Sequence, residues 1–468
     1  MKMTKFLIFI LTFFYSLGIA QSIKDKLDKA TKAFLNSPKM YAANMSFYVA
    51  DENGNFIYEY QGNKGLSTAS TQKIFTAATA LELLGKNYKY KTKAVYDGVL
   101  ERSVLKGNIY ITSNGDPTLG SWRYDGYKPE DFLEKFYIAL KNQGIKKVEG
   151  NLIIDDTYFD FQTTPGGWAW NDIGNYYGAG VWGVNWRENQ FDIDIEGGTS
   201  IGKPTKIKSF SYPLVQVKWF NEVTSAASNS GDKSLIYTAP YSSVVSINGT
   251  LPAQKTTKIS GATPNPPVQL GAEMVNCIKS KGIEFSGEII TGRQLLLDGK
   301  SVPLVTGKPF FEYESPELSK IVYWFLRKSV NLYGETFIKT LGKEQNNDSS
   351  FSSGVSVLKN FWKSKGIHPA MINFTDGSGL SPQNYASARA EVQALLWAQK
   401  QPWFSEFYNA LPTYNGMKMK SGTIKDAKGY TGYHTSKNGK KYVFSIIVNN
   451  YDGDGINNEL FSILNNLK

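Results

Sequence analysis

The chain has 468 residues, 41% hydrophobic and 14% aromatic, enough to bury more than one core, and its formal net charge is +11. One cysteine, Cys277, excludes an internal disulfide, and the absence of arginine-rich or aromatic-interleaved runs argues against nucleic acid as a partner. Two histidines, His368 and His434, lack the spacing of a zinc site or a nucleophile elbow, so a serine enzyme built from this chain would take lysine as its base.

Residues 1–20 read as a secretory signal peptide. Lys2 and Lys5 precede an apolar run over 6–17, and Gly18-Ile19-Ala20 offers a small-residue cleavage site before Gln21. Cleavage removes two lysines and no acids, leaving 11 − 2 = +9, and no second long apolar stretch follows. The mature chain is expected in an exported compartment, the periplasm or cell envelope, without a membrane span; its basic charge suits anionic envelope polymers and equally a solvated lysine-rich surface.

Lys and Asp alternating with apolar residues predict a helix over 22–37, and strands at 45–50 and 56–60 flank the turn Asp51-Glu52-Asn53-Gly54. Ser67-Thr68-Ala69-Ser70-Thr71-Gln72-Lys73 then leads into an Ala- and Leu-rich run ending at Gly85, the pattern of a buried helix with a glycine stop. Ser70 and Lys73 share a face on its first turn, where a serine beside a lysine makes an activated nucleophile. The unpaired N–H groups and positive dipole end of the helix suit a developing oxyanion.

Strands at 90–96 and 107–113 lead to the tight turn Gly115-Asp116-Pro117-Thr118-Leu119. A helix opens at Pro129 and stops at Gly144, and a strand is expected over 148–154. Trp168-Ala169-Trp170-Asn171-Asp172 begins a loop rich in Gly, Tyr and Trp; residues 190–258 read as a small all-β insert. A helix at 266–282, two short strands within 283–297 and an extended run at 310–313 follow. Ser315-Pro316-Glu317 is expected to cap a helix reaching residue 327, with Ser at the cap. Lys328-Ser329-Val330-Asn331 interrupts it before the next helix. Beyond a helix at 355–365 come the loop Asp376-Gly377-Ser378-Gly379-Leu380-Ser381 and helices at 386–399 and 404–410. The chain closes with strands at 417–424, 430–435 and 442–450 and a helix at 456–467. Asp452-Gly453-Asp454-Gly455 is not a calcium loop, because Phe461 falls where the twelfth-position Glu belongs; it is expected to turn into the last helix.

Ser-x-x-Lys alone is weak, recurring at Ser103/Lys106, Ser230/Lys233 and Ser356/Lys359, and Ser-x-Asn recurs at Ser246/Asn248 and Ser436/Asn438. The ordered set Ser70-x-x-Lys73, Ser329-x-Asn331 and Lys420-Ser421-Gly422 is another matter: helix start, loop between helices, then strand before a hairpin. It resembles the penicillin-binding and serine β-lactamase superfamily. The long insert, the 115–119 turn, the Trp-rich loop with Asp172 and the 376–381 loop narrow the likeness to the D-alanyl-D-alanine carboxypeptidase/endopeptidases, the class C low-molecular-mass penicillin-binding proteins.

That resemblance implies an α+β fold: a catalytic domain of antiparallel sheet and flanking helices at 21–86 and 308–468, an inserted α+β domain at 87–189 and 259–307, and the nested all-β domain at 190–258. Residues alone give only α+β with β-rich inserts. It further implies Ser70 as nucleophile toward a D-Ala-D-Ala carbonyl and Lys73 as its base, held neutral by burial and by the like charge of Lys420. Ser329 would relay the proton to the leaving amine, and Asn331 would orient Lys73 or the substrate amide. Lys420 and Ser421 would hold a terminal carboxylate, Gly422 would let the strand approach the substrate, and the N–H groups of Ser70 and Thr423 would form the oxyanion hole. No metal or cofactor is implied; the partners are peptidoglycan stem peptides and acylating β-lactams. A β-lactamase and a non-catalytic penicillin- or wall-binding protein are the other readings, and oligomeric state is not legible.

Two departures stand out. Ser421 replaces the usual Thr and keeps the hydroxyl. Pro382 and Gln383 stand where many relatives carry an Arg for a carboxylate on the peptide's diamino acid, while Asp172 keeps the acidic residue for its amino group. From Pro382 alone, amidating that carboxylate should change kcat/KM by less than about tenfold.

Overall fold

The computed structural model describes residues 22–304 and 306–468; the leader read at 1–20 lies outside them. An antiparallel six-stranded sheet runs in the order Phe56–Tyr60, Asn44–Asp51, Lys441–Asn449, Ala427–Thr435, Met417–Ile424, Thr413–Tyr414. Its centre joins distant parts of the chain, Asn44 facing Asn449 and Asp51 facing Tyr442. Helices Ile23–Leu35 and Asn457–Leu464 cover one face, with Leu27, Phe34, Leu460 and Leu464 packed on Phe47, Phe444 and Val448. The other face meets Lys73–Leu83 and Ala388–Ala398, behind which stand Leu318–Arg327, Asn331–Asn346 and Phe351–Ser364. Covered on both sides, Lys441–Asn449 is buried from Tyr442 to Asn449, and its apolar run reflects that rather than alternation.

Residues between these halves form a mixed five-stranded sheet ordered Ile289–Thr291, Leu152–Asp155, Ile109–Ser113, Lys91–Tyr96, Phe311–Glu314. Helices Pro129–Asn142 and Pro266–Ser280 pack on it through Phe132, Phe136, Leu270 and Met274. Short strands from Gln190–Glu196 to Thr256–Ala262 enclose a separate core of Phe191, Ile193, Val245, Ile247 and Leu251.

Several local expectations change. The single strand expected over 148–154 is two, Lys147–Val148 and Leu152–Asp155, which enter different sheets around Gly150. Both short strands expected within 283–297 are present, Glu284–Phe285 and Ile289–Thr291, but the stretch closes in an unexpected helix, Gly292–Leu297, because Thr291 accepts from the Gln294 N–H and the Gln-Leu-Leu-Leu run favours helix. Ser315 does not cap its helix. It accepts from the Tyr90 N–H at 2.9 Å, and Glu317 stands at the N-cap of Leu318–Arg327. Phe311–Glu314, on the catalytic side of the boundary expected at 308, pairs with Lys91–Tyr96 of the inserted sheet.

Candidate active site

The segment Ala69–Gln72 is a 3-10 turn, and the α-helix proper starts at Lys73. Ala69 has φ +45°, a left-handed conformation that costs a non-glycine residue energy and turns the half-buried Ser70 toward a cleft. Thr71 ties the turn down, its Oγ1 lying 2.5 Å from Glu391 Oε1 and 2.8 Å from the Thr68 carbonyl. Glu391 is wholly buried and also accepts from Ser445; burial pushes its carboxyl up to about 7.

Lys73 is fully buried, with Nζ 2.8 Å from Ser70 Oγ, 2.7 Å from Asn331 Oδ1 and 2.7 Å from the Ser378 carbonyl. Burial lowers its pKa to about 7, against the opposing pull of the Asp376 and Glu335 carboxylates. The sequence reading assigned part of this drop to Lys420, but desolvation is the cause. Lys420 is itself held well below the ordinary lysine range, by burial first and then by Lys73 and Lys428.

Asn331 begins the helix Asn331–Asn346, and its Nδ2 donates to the Tyr177 carbonyl at 2.8 Å, which fixes Oδ1 toward Lys73. Ser329 sits at the corner between two helices with φ +59° and lines the cleft. The third partner of Lys73 comes from a loop held by one buried carboxylate. Asp376 accepts from the backbone N–H groups of Gly379 and Ser381, from Asn384 Nδ2 and from the Trp168 indole at 2.7–2.9 Å. Glu335, also fully buried, accepts from the Gly377 N–H at 2.9 Å, and burial raises it to about 8. From sequence Asp376 enters only as part of its loop, with no role of its own, and Glu335 does not enter at all. The signal available for Glu335 was its place four residues after Asn331, on the same helix face.

On the opposite wall runs the strand Met417–Ile424. Lys420, 2% exposed, reaches the Ser421 carbonyl at 2.8 Å; Ser421 is half-buried. Thr423 is exposed, lines the cleft and accepts from Lys428 Nζ at 2.6 Å. Gly422 was expected to admit the substrate, yet its constraint comes from behind. A Cβ there would lie 2.3 Å from the Thr68 carbonyl and 2.9 Å from the Thr71 N–H, so only glycine lets the strand reach the Ser70 turn.

The cleft, about 680 Å³, is lined by Ser70, Asp172, Ser329, Asn331, Pro382 and Thr423 among others, with Lys73 and Lys420 buried beside it. Asp172 is half-buried and burial raises its carboxyl, opposed by a hydrogen bond from Tyr177. Every residue expected at the site therefore lies at the cleft or on the segments that wall it. Among the described residues no group of three His, Cys, Asp or Glu could hold a metal ion, and no helix is long and apolar enough to cross a membrane.

The D-Ala-D-Ala carboxypeptidase 3 (S13) family matches residues 27–416. The chain belongs to this family of serine peptidases. It is 24% identical to a D-alanyl-D-alanine carboxypeptidase of Actinomadura sp. (strain R39), over 90% of this chain and 80% of that one. It is 25% identical to the D-alanyl-D-alanine carboxypeptidase DacB of Haemophilus influenzae, over 87% and 86%. The crystal structure of penicillin binding protein 4 (dacB) from Haemophilus influenzae superimposes with a TM-score of 0.78 at 22% identity, covering 94% of this chain and 98% of that one. The same protein complexed with a β-lactam gives 0.73. The likeness shows the fold: α+β, a penicillin-binding catalytic domain with a large insert. The family match ends before Lys420, so in this S13 member the third motif stands on its place in the sheet.

Gly422→Ala is expected to push the strand off the Ser70 turn and slow acylation by a labelled penicillin by about tenfold or more. A rate within about twofold of the parent would mean that the strand does not set the position of Ser70.

Proposed function

We propose that the protein is an exported serine D-alanyl-D-alanine carboxypeptidase and endopeptidase that cleaves peptidoglycan stem peptides through an acyl-enzyme and is acylated by penicillins. Its catalytic unit comprises 21–86 and 308–468, with the strand Phe311–Glu314 lent to the sheet of the α+β insert at 87–189 and 259–307, and the all-β piece lies at 190–258. One observation carries the chemistry. Of the three partners of Lys73 Nζ, the Asn331 oxygen and the Ser378 carbonyl can only accept. A neutral amine has two N–H groups for them and one lone pair left, which faces the Ser70 hydroxyl.

Ser70 Oγ attacks the carbonyl between the two D-alanines as its proton passes to Lys73 Nζ. The N–H groups of Ser70 and Thr423 receive the oxyanion. Collapse breaks the peptide bond, and the leaving amine takes its proton through Ser329. Water then cleaves the ester. Among the described residues Lys420 is buried without a carboxylate as hydrogen-bond partner, so the substrate's terminal carboxylate supplies the counter-charge it lacks, and Ser421 adds a hydroxyl. Asp172 attracts an amino group on the third residue of the stem peptide.

Mass spectrometry of purified muropeptides tests this directly. Loss of one D-Ala from pentapeptides and halving of cross-linked dimers are expected, both abolished in Ser70→Ala together with penicillin labelling. Label that persists in Ser70→Ala would refute the nucleophile.

Protonating Lys73 fills the lone pair that must accept the Ser70 proton. Acylation should therefore fall as pH drops through about 7, by about tenfold per unit below it. A profile flat from pH 5 to 8 would remove Lys73 as base.

Lys420→Ala should impair substrates bearing the terminal carboxylate far more than thioesters without it. Equal losses on the two would separate Lys420 from carboxylate recognition.

A further inference from the structure

Pro382 lines the cleft, as the sequence places it, but the cleft is not without cations. Arg123, from the inserted region, also lines it, with a side chain only 18% exposed. Its Nε is bonded to both oxygens of Glu188 at 2.9 and 3.0 Å, and the guanidinium carbon lies 5.3 Å from the Trp122 ring and 5.7 Å from Trp324. Its two terminal nitrogens take no partner among the described residues and are not buried.

The support beneath it is built with care. Glu188, 2% exposed, accepts on one oxygen from Ser121 at 2.6 Å and from Tyr333 at 2.6 Å besides Arg123. Tyr333 is two residues past Asn331, and Trp324 belongs to the helix that ends before Ser329, so the guanidinium is fixed relative to both. Three consecutive residues, Arg187, Glu188 and Asn189, hold left-handed φ values of 53°, 51° and 52°. Such a run is costly for non-glycine residues and persists only where surrounding contacts impose it. Lys328 and Lys425 also line the cleft, but both are exposed, and their charges are screened and their side chains unpinned. Arg123 is the pre-organised cation: one edge is neutralised by Glu188, while the forked end, which matches a carboxylate's two oxygens, remains free.

We infer that Arg123 is a specificity residue that binds a carboxylate carried on the stem peptide away from the scissile bond, with Glu188 as its positioning residue. This rests on the peptidase reading above and reverses the expectation drawn from Pro382 alone. The carboxylate could belong to the third residue's side chain or to the acidic residue before it.

Three matched pentapeptides ending in D-Ala-D-Ala decide it: one with both carboxylates free, one amidated on the third residue's side chain, one amidated on the second residue. At least one amidation should lower kcat/KM of the parent enzyme by about tenfold or more, and the peptide affected names the source. In Arg123→Gln that ratio should fall below about twofold. A merely structural role would slow acid and amide alike and leave the ratio intact. Penicillin labelling of Ser70 reports whether the variant's site is formed. Should Arg123→Gln fail to label, Arg123→Lys keeps a charge for Glu188 but not the fork, and its ratio should drop by about threefold or more. The inference is overturned if the parent shows no preference, or if the preference survives in the variant that labels. Failure of the peptidase reading looks different: no peptide is turned over and Ser70 takes no label in the parent.

Discussion

The site depends on burying an amine that has no carboxylate in contact with it among the described residues. An ammonium withdrawn from water is expensive unless an anion compensates, and the nearest carboxylates, Asp376 and Glu335, are engaged elsewhere by backbone donors. Lys73 accordingly gives up its proton near neutrality, and its polar neighbours satisfy the neutral form: two acceptor oxygens for its N–H groups and the Ser70 hydroxyl for its lone pair. A carboxylate beside Nζ would hold the amine protonated.

The insert is part of this arrangement. The Tyr177 carbonyl sets which end of the Asn331 amide faces Lys73, and the Trp168 indole takes one oxygen of Asp376. Glu188 grips Tyr333 from the same side. Altering the loop at 168–189 would thus be felt at Ser70 through the hydrogen bonds that orient its neighbours, with no direct contact needed.

Much of this was legible in the sequence because it is local. The Ala- and Leu-rich run to Gly85, the strands expected at 430–435 and 442–450 and the strand Met417–Ile424 carry their own periodicity and turn chemistry. Errors arose where a neighbour in space outvoted the local signal. Ser315 has the chemistry of a cap but spends its side chain on Tyr90, 225 residues away in sequence, and Glu317 takes its place. The reason for Gly422 could not be read from its own strand, since what excludes a Cβ is the Thr68–Thr71 turn. Nor could burial of Lys73 be separated from repulsion by Lys420, because both depress a lysine and only the packing tells them apart.

The pairing of Asn44–Asp51 with Lys441–Asn449 also orders events during synthesis. On a growing chain Ser70 and Lys73 are made early, while the strand that backs their turn and the one that closes the sheet centre come last. The sheet is a contact between segments roughly four hundred residues apart, the slowest kind to close. Until then the wall that carries Lys420 and Thr423 has no complete sheet to hold it, whatever motifs have already been made. Proteolytic loss of the last two strands would return a finished molecule to that state.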